Sequence, residues 1–226
     1  MPRGKISKSK GSGLTTMRLR IIFSKTEAMR YTGHLDLHKT WERTFRRARL
    51  PLAYSQGFHP QPRLNLACAL PLGFTSECEV LDAWLEQEIP VEEVKNALDP
   101  SLPPGIIVSK ISIVDQHLPA LQTQVLSADY VITLLQPPAD LIEQIERLVS
   151  ANSIQRIRRN KPYDLRPLIE DLQIISTVND QPGLALRMSA REAATGRPEE
   201  LLSELGIPFE TTRVHRVRLN FGGDNG

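Results

Sequence analysis

The chain has 226 residues, 40% of them hydrophobic and 24% charged, with a formal net charge of +2. That is enough apolar material for one large or two small globular domains, and the composition excludes a disordered chain. No apolar run approaches the length of a membrane span, and no apolar-cored leader opens the sequence, so the expectation is a cytoplasmic protein with no membrane partner. Two cysteines, Cys68 and Cys78, are too few for a disulfide framework or a four-cysteine metal site. The near-zero net charge hides strong segregation: residues 1–63 hold 14 basic and 3 acidic residues, residues 64–151 hold 3 and 13, and residues 152–226 hold 11 and 10. Such a distribution steers a polyanion toward one region and away from another.

Residues 1–16 are basic and carry almost no apolar side chain, which predicts a flexible arm or linker, such as a cut through a longer fusion would leave. A strand is predicted over 17–23. A helix over 35–49 follows, with Leu37, Trp41, Phe45 and Ala48 on one face and Asp36 as N-cap. Alternation predicts strands over 64–70 and 78–85, separated by Pro71 and Gly73. A short helix between Pro90 and Asp99-Pro100 and a strand over 106–114 complete a first β-α-β-β-α-β unit, residues 17–114.

After a polar connection at 115–125 the order recurs over 126–221. Strands are predicted over 130–135, 172–178, 183–189 and 209–221, and helices over 139–150 and from Pro198 to a cap at Gly206; residues 222–226 form a tail. The expected fold is α+β, two tandem ferredoxin-like halves, each with an insertion after its first helix, at 50–63 and at 151–171.

The candidate site residues lie on that first helix and in the insertions. Lys39, Arg43, Arg46 and Arg47 fall about 180° to 280° from Leu37 at 100° per residue, opposite the apolar stripe, with Arg49 and Arg63 close behind. Arginine suits bidentate phosphate binding and stacking. In the loop Tyr54 to Arg63, Phe58 can stack on a base and His59 can serve as donor, acceptor or general base. The second insertion adds Arg156, Arg158, Arg159 and Lys161, with Arg156 and Arg158 predicted on one face of an extended segment and Asp164 held ionised among them. His34 and His38 have metal-chelating spacing, but no third ligand is recognisable and no metal site is expected. Glu199 and Glu200 read as the start of an ordinary helix.

Tyr31-Thr32-Gly33-His34-Leu35-Asp36-Leu37, Gly57-Phe58-His59-Pro60-Gln61-Pro62, Ala69-Leu70-Pro71-Leu72-Gly73, Tyr163-Asp164-Leu165-Arg166-Pro167-Leu168 and Gly196-Arg197-Pro198-Glu199-Glu200-Leu201-Leu202 resemble the motifs of a radical-SAM-linked bacterial domain family of unassigned activity. The resemblance spans roughly residues 17 to 220. It implies a radical SAM partner, in cis or in trans, that carries the iron–sulfur cluster and S-adenosylmethionine. This chain has no C-x-x-x-C-x-x-C motif and is expected to hold no cofactor of its own. Tandem ferredoxin-like units also occur in CRISPR-type RNA endonucleases and some pseudouridine synthases, an analogy of fold that favours RNA. The expectation is a non-catalytic RNA-binding or substrate-presenting module. Its alternatives are a metal-independent RNA-processing enzyme with His34 or His59 as base, and a protein-docking domain.

Overall fold

The computed structural model describes residues 16–177 and 180–222; the arm at 1–15, the turn around Asn179 and the tail beyond 222 lie outside them. The strands are β1 (Met17–Lys25), β2 (Leu64–Leu66), β3 (Thr75–Leu85), β4 (Ile106–Val114), β5 (Val125–Leu134), β6 (Gln155–Arg158), β7 (Lys161–Asp164), β8 (Ile169–Ser176), β9 (Pro182–Arg191), β10 (Ala194–Thr195) and β11 (Thr212–Phe221). The helices are α1 (His34–Arg47), α2 (Val91–Leu98), α3 (Leu121–Gln124), α4 (Leu141–Ser150) and α5 (Pro198–Glu204).

The protein is a mixed α+β structure built on one nine-stranded sheet of order β10-β9-β5-β11-β3-β1-β4, with β2 beside β3 and β8 beside β9; β6 and β7 form a separate hairpin. Pairing is antiparallel throughout except where β11 runs parallel to β3, through His215 with Thr75 and Arg216 with Ser76. The strand runs β4-β1-β3-β2 and β11-β5-β9-β8 correspond in order and in chain sequence. Each has its own apolar core. Leu19, Ile21, Phe23, Trp41 and Phe45 centre the first, and Tyr130, Ile132, Ile145, Leu186 and Leu201 belong to the second.

Helix α1 forms because Leu37, Trp41, Thr44 and Phe45 bury one stripe, with the Trp41 ring edge-on to Phe23 at 4.9 Å. It begins one residue before the predicted start. Gly33 is the N-cap, so Asp36 lies within the first turn, where its charge favours the helix dipole without capping. Arg49, at φ +56°, takes the left-handed position that ends the helix. The strand predicted over 64–70 stops at Leu66, because residues 67–74 leave the sheet to cross toward the second half. Phe74 delivers that crossing, packing against Tyr130 (6.2 Å) and stacking on Phe209 (5.6 Å). Gly73 is required there, since its φ is +86° and a Cβ would meet the Phe209 ring at 2.8 Å.

The seam between the halves is charged and buried. Phe23 pairs in register with Glu79, and Tyr130 with Arg216, so the buried Arg216 Nη1 to Glu79 Oε1 hydrogen bond of 2.9 Å joins the core-facing side of one half to that of the other. Arg216 Nη2 also donates to Ala69 O at 2.7 Å and lies 3.3 Å from the Tyr130 hydroxyl. Lys25, fully buried, donates to Arg30 O and Phe74 O, and Arg30 Nε to Gly73 O. Below the sheet, Arg18 pairs with the buried Asp82 and donates to Leu118 O and Pro119 O, which fastens the connection between the halves.

Burial lowers the Lys25 pKa from 10.5 to about 8, with Glu79 opposing and Arg216 reinforcing the shift. The lysine is therefore charged in both states below pH 8, and neutral only in the folded state between pH 8 and 10.5. Over that window the folded state gains on a Lys25→Met variant by about 1.4 kcal/mol per pH unit, read as the difference between their urea midpoints against pH. Glu79→Gln leaves Arg216 buried without a counter-ion and is expected to cost about 3–5 kcal/mol in the same assay.

Candidate functional site

The second insertion folds as the β6–β7 hairpin. Its two-residue loop, Arg159 and Asn160, has φ of +51° and +62°, the left-handed pair of a type I′ turn. Alternation places Arg156 and Arg158 on one side, and Glu200 and Glu204 lie one turn apart on α5 to meet them. Arg156 donates to Glu204 (3.0 Å) and to the Ser203 hydroxyl (2.8 Å). Arg158 forms a bidentate pair with Glu200 (Nε to Oε1 2.8 Å), donates to Thr195 O and lies 4.5 Å over the Tyr163 ring. Both arginines clamp the hairpin to α5. Asp164 closes the base of the hairpin by accepting from the Ile154 and Arg166 amides at 2.8 and 3.0 Å, which holds its carboxyl below the usual range. Arg159 and Lys161 at the tip are exposed and form no ion pair among the described residues.

The hairpin tip overhangs a cleft of about 780 Å³ beside the seam, walled by residues 67–71 of the first half and residues 190–199 of the second, with His34 and Tyr130 also lining it. Motif segments far apart in the chain meet here: His34, Ala69-Leu70-Pro71 and Gly196-Arg197-Pro198-Glu199. Gly196 is buried, and a Cβ on it would stand 3.2 Å from Leu168 Cβ and O and would push the Met188 methyl aside, so the turn packs closely at this position. Arg197 is exposed at the mouth. His34 Nδ1 and Glu199 Oε2 are buried atoms without a hydrogen-bond partner among the described residues, and both residues line the cleft. Burial, reinforced by His38, pushes the His34 pKa down, and burial pushes the Glu199 carboxyl up. Burial also raises the Cys68 thiol pKa, which keeps it protonated and unreactive. His38 is spent on Leu64 O at 3.2 Å.

The remaining candidates lie elsewhere. Lys39, Arg43, Arg46 and Arg47 are exposed on α1, but Arg47 donates to Ser101 O at 2.7 Å. Arg49 is exposed at the helix end, and Arg63 sits 4.7 Å over the Trp84 ring. Phe58 and His59 occupy the exposed tip of a loop pinched by the Tyr54–Pro62 bridge and the 2.8 Å bond from Ser55 N to Gln61 O. Phe58 has a relative exposure of 103% and packs on nothing, so it does not plug the core. The structure thus brings His34, Arg158, Arg159 and Lys161 together and leaves Phe58, His59 and Arg63 outside the cleft. Arg197 and Glu199 are the cleft residues that sequence reasoning passes over, since nothing local distinguishes them from any helix start.

No helix among the described residues is long and apolar enough to cross a membrane. No curated protein matches the chain. Among solved structures, a Cbf5-Nop10-Gar1 complex is 11% identical over 91% of this chain and 50% of the other, with a TM-score of 0.48. An archaeal box H/ACA sRNP Nop10-Cbf5 complex is 12% identical over 91% and 49%, at 0.43, so this chain spans about half the length of each. The small subunit of acetolactate synthase from Thermotoga maritima is 10% identical over 92% and 98%, at 0.27. At such identities and scores nothing about activity is drawn from them. The family model described as "Uncharacterized protein conserved in bacteria (DUF2344)" matches residues 18–198, which carry every strand of the sheet except β11, the hairpin and nearly all of the cleft, and the chain therefore belongs to that bacterial family.

Proposed function

We propose that this chain is an RNA-binding module without catalysis of its own, built from two tandem ferredoxin-like halves at 17–114 and 126–221, which holds an RNA and presents it to a radical SAM enzyme. The observation that carries the reading is the outward face of α1, where Lys39, Arg43 and Arg46 are exposed and form no ion pair among the described residues. In the second half, by contrast, four arginines are matched to carboxylates: Arg156 to Glu204, Arg158 to Glu200, Arg187 to Asp129 and Arg191 to Glu170. Cations left unmatched on a rigid helix are what a phosphate backbone needs, because they release counterions on binding without giving up an internal partner. From His34 at the cleft to Arg46, α1 rises about 18 Å at 1.5 Å per residue, enough to follow several phosphates of a single strand. The partnership with a radical SAM enzyme rests on the motif resemblance alone. Incubated RNA is expected to be recovered intact, and cleavage that disappears in His34→Ala would replace this reading with the enzymatic one.

Two substitutions separate grip from chemistry. Arg43→Ala with Arg46→Ala should reduce the slope of log affinity against log salt by about 0.7 for each phosphate no longer neutralised, measured by fluorescence anisotropy with single-stranded RNA; an unchanged slope means these arginines are only solvated. Phe58→Ala should weaken RNA binding about 5- to 150-fold, the range expected for one stacked base, while the unfolding midpoint stays in place because the ring is already in water.

A further inference from the structure

We propose that the cleft between the two halves seats a single nucleotide, with its phosphate against Arg159, Lys161 and Arg197 at the mouth and its base edge against Glu199 and His34 inside. The inference rests on the RNA-binding reading only for the source of that nucleotide, either one residue of a bound strand or a free nucleotide.

Three independent features of the cleft point to this ligand. Its volume of about 780 Å³ is that of a site for a small organic molecule, larger than an inorganic anion requires. Its mouth carries three cations without ion pairs among the described residues, against one facing carboxylate, Glu192, while the neighbouring Arg158 is already neutralised by Glu200. Its interior pairs apolar wall, from Ala67, Leu70 and Pro71, with two buried polar atoms lacking partners, His34 Nδ1 and Glu199 Oε2. Burying such atoms without a partner is costly, and a ligand with apolar faces and a polar edge satisfies both demands. A nucleobase has that form, and a phosphate attached through its sugar reaches the cations. Glu199 Oε2, as an acceptor, is matched by the exocyclic amino group that adenine, cytosine and guanine carry and uracil lacks, so those three are preferred over uracil.

The test is calorimetric titration of the full chain with AMP, CMP, GMP, UMP and inorganic phosphate, together with a short single-stranded RNA. At least one amino-bearing monophosphate should bind about fivefold or more tightly than UMP, the scale of one hydrogen bond. Glu199→Gln should shrink that preference, with His34→Gln as a second variant should the first not fold. Arg159→Ala with Lys161→Ala should weaken all bound monophosphates by a similar factor of about ten, whereas Lys110→Ala, at an exposed cation that does not line the cleft, should leave them unchanged. Absence of monophosphate binding, or a base preference unmoved by both Glu199→Gln and His34→Gln, overturns the proposal. RNA binding without monophosphate binding overturns the cleft inference and leaves the RNA reading standing. Monophosphate binding with the stated preference and no RNA binding upholds the cleft and overturns the RNA reading in favour of a free nucleotide.

Discussion

The molecule is organised by a buried seam that holds more positive than negative charge. Lys25, Arg30 and Arg216 are buried where the halves meet, and Glu79 is the buried acid that faces them. Glu79 pairs with Arg216 and the exposed Glu27 with Arg30, while Lys25 forms no ion pair among the described residues, so backbone carbonyls complete the set: Ala69, Gly73 and Phe74 from the crossing segment, and Arg30 from the turn after β1. Those carbonyls reach the cations only when residues 67–74 follow their observed course and the halves are docked. Formation of the seam and placement of the cleft wall are therefore one event. Removing the single acid leaves buried charge with no outlet, a far larger penalty than breaking any surface ion pair.

From that seam the cleft inherits its shape. The crossing segment supplies one wall, and α5 with its preceding turn supplies the other. The β6–β7 hairpin is fixed over the opening by two arginines whose partners are one helical turn apart. The same hairpin separates two uses of positive charge. Arg156 and Arg158 point at carboxylates and act as fasteners, whereas Arg159 and Lys161, forced outward by a tight turn of left-handed residues, remain available to a ligand. Four cations within six residues thus divide evenly between internal ion pairs and an exposed tip.

The family match over residues 18–198 includes β1 through the start of α5, and with them both cleft walls and the hairpin. Two surfaces result, with different chemistry. The face of α1 offers charge without shape, which suits a phosphate backbone read without regard to sequence. The cleft offers shape, apolar wall and directed polar atoms, which suit a single recognised group. His34, at the first turn of α1, lines the cleft rather than the outward face of that helix.

Much of this is legible in the sequence because it depends on neighbours in the chain. The α+β composition, the strand over 106–114, the burial of Trp41 and Phe45, and the outward direction of Lys39, Arg43 and Arg46 follow from periodicity, which senses only whether a side chain meets apolar matter or water. Asp36 is not the cap that its residue type suggests, because cap and first turn favour the same residues, and the choice of Gly33 depends on how the chain leaves β1. The roles of Arg156 and Arg158 cannot be read locally, because their partners lie 48 and 42 residues away on α5. Likewise a sequence shows Glu199 as one of two acids at a helix start; only the packing of α5 against the seam buries one and gives the other to Arg158. Local pattern decided which residues face inward or outward, and tertiary structure decided which charges find partners, since pairing depends on distances that no local spacing encodes.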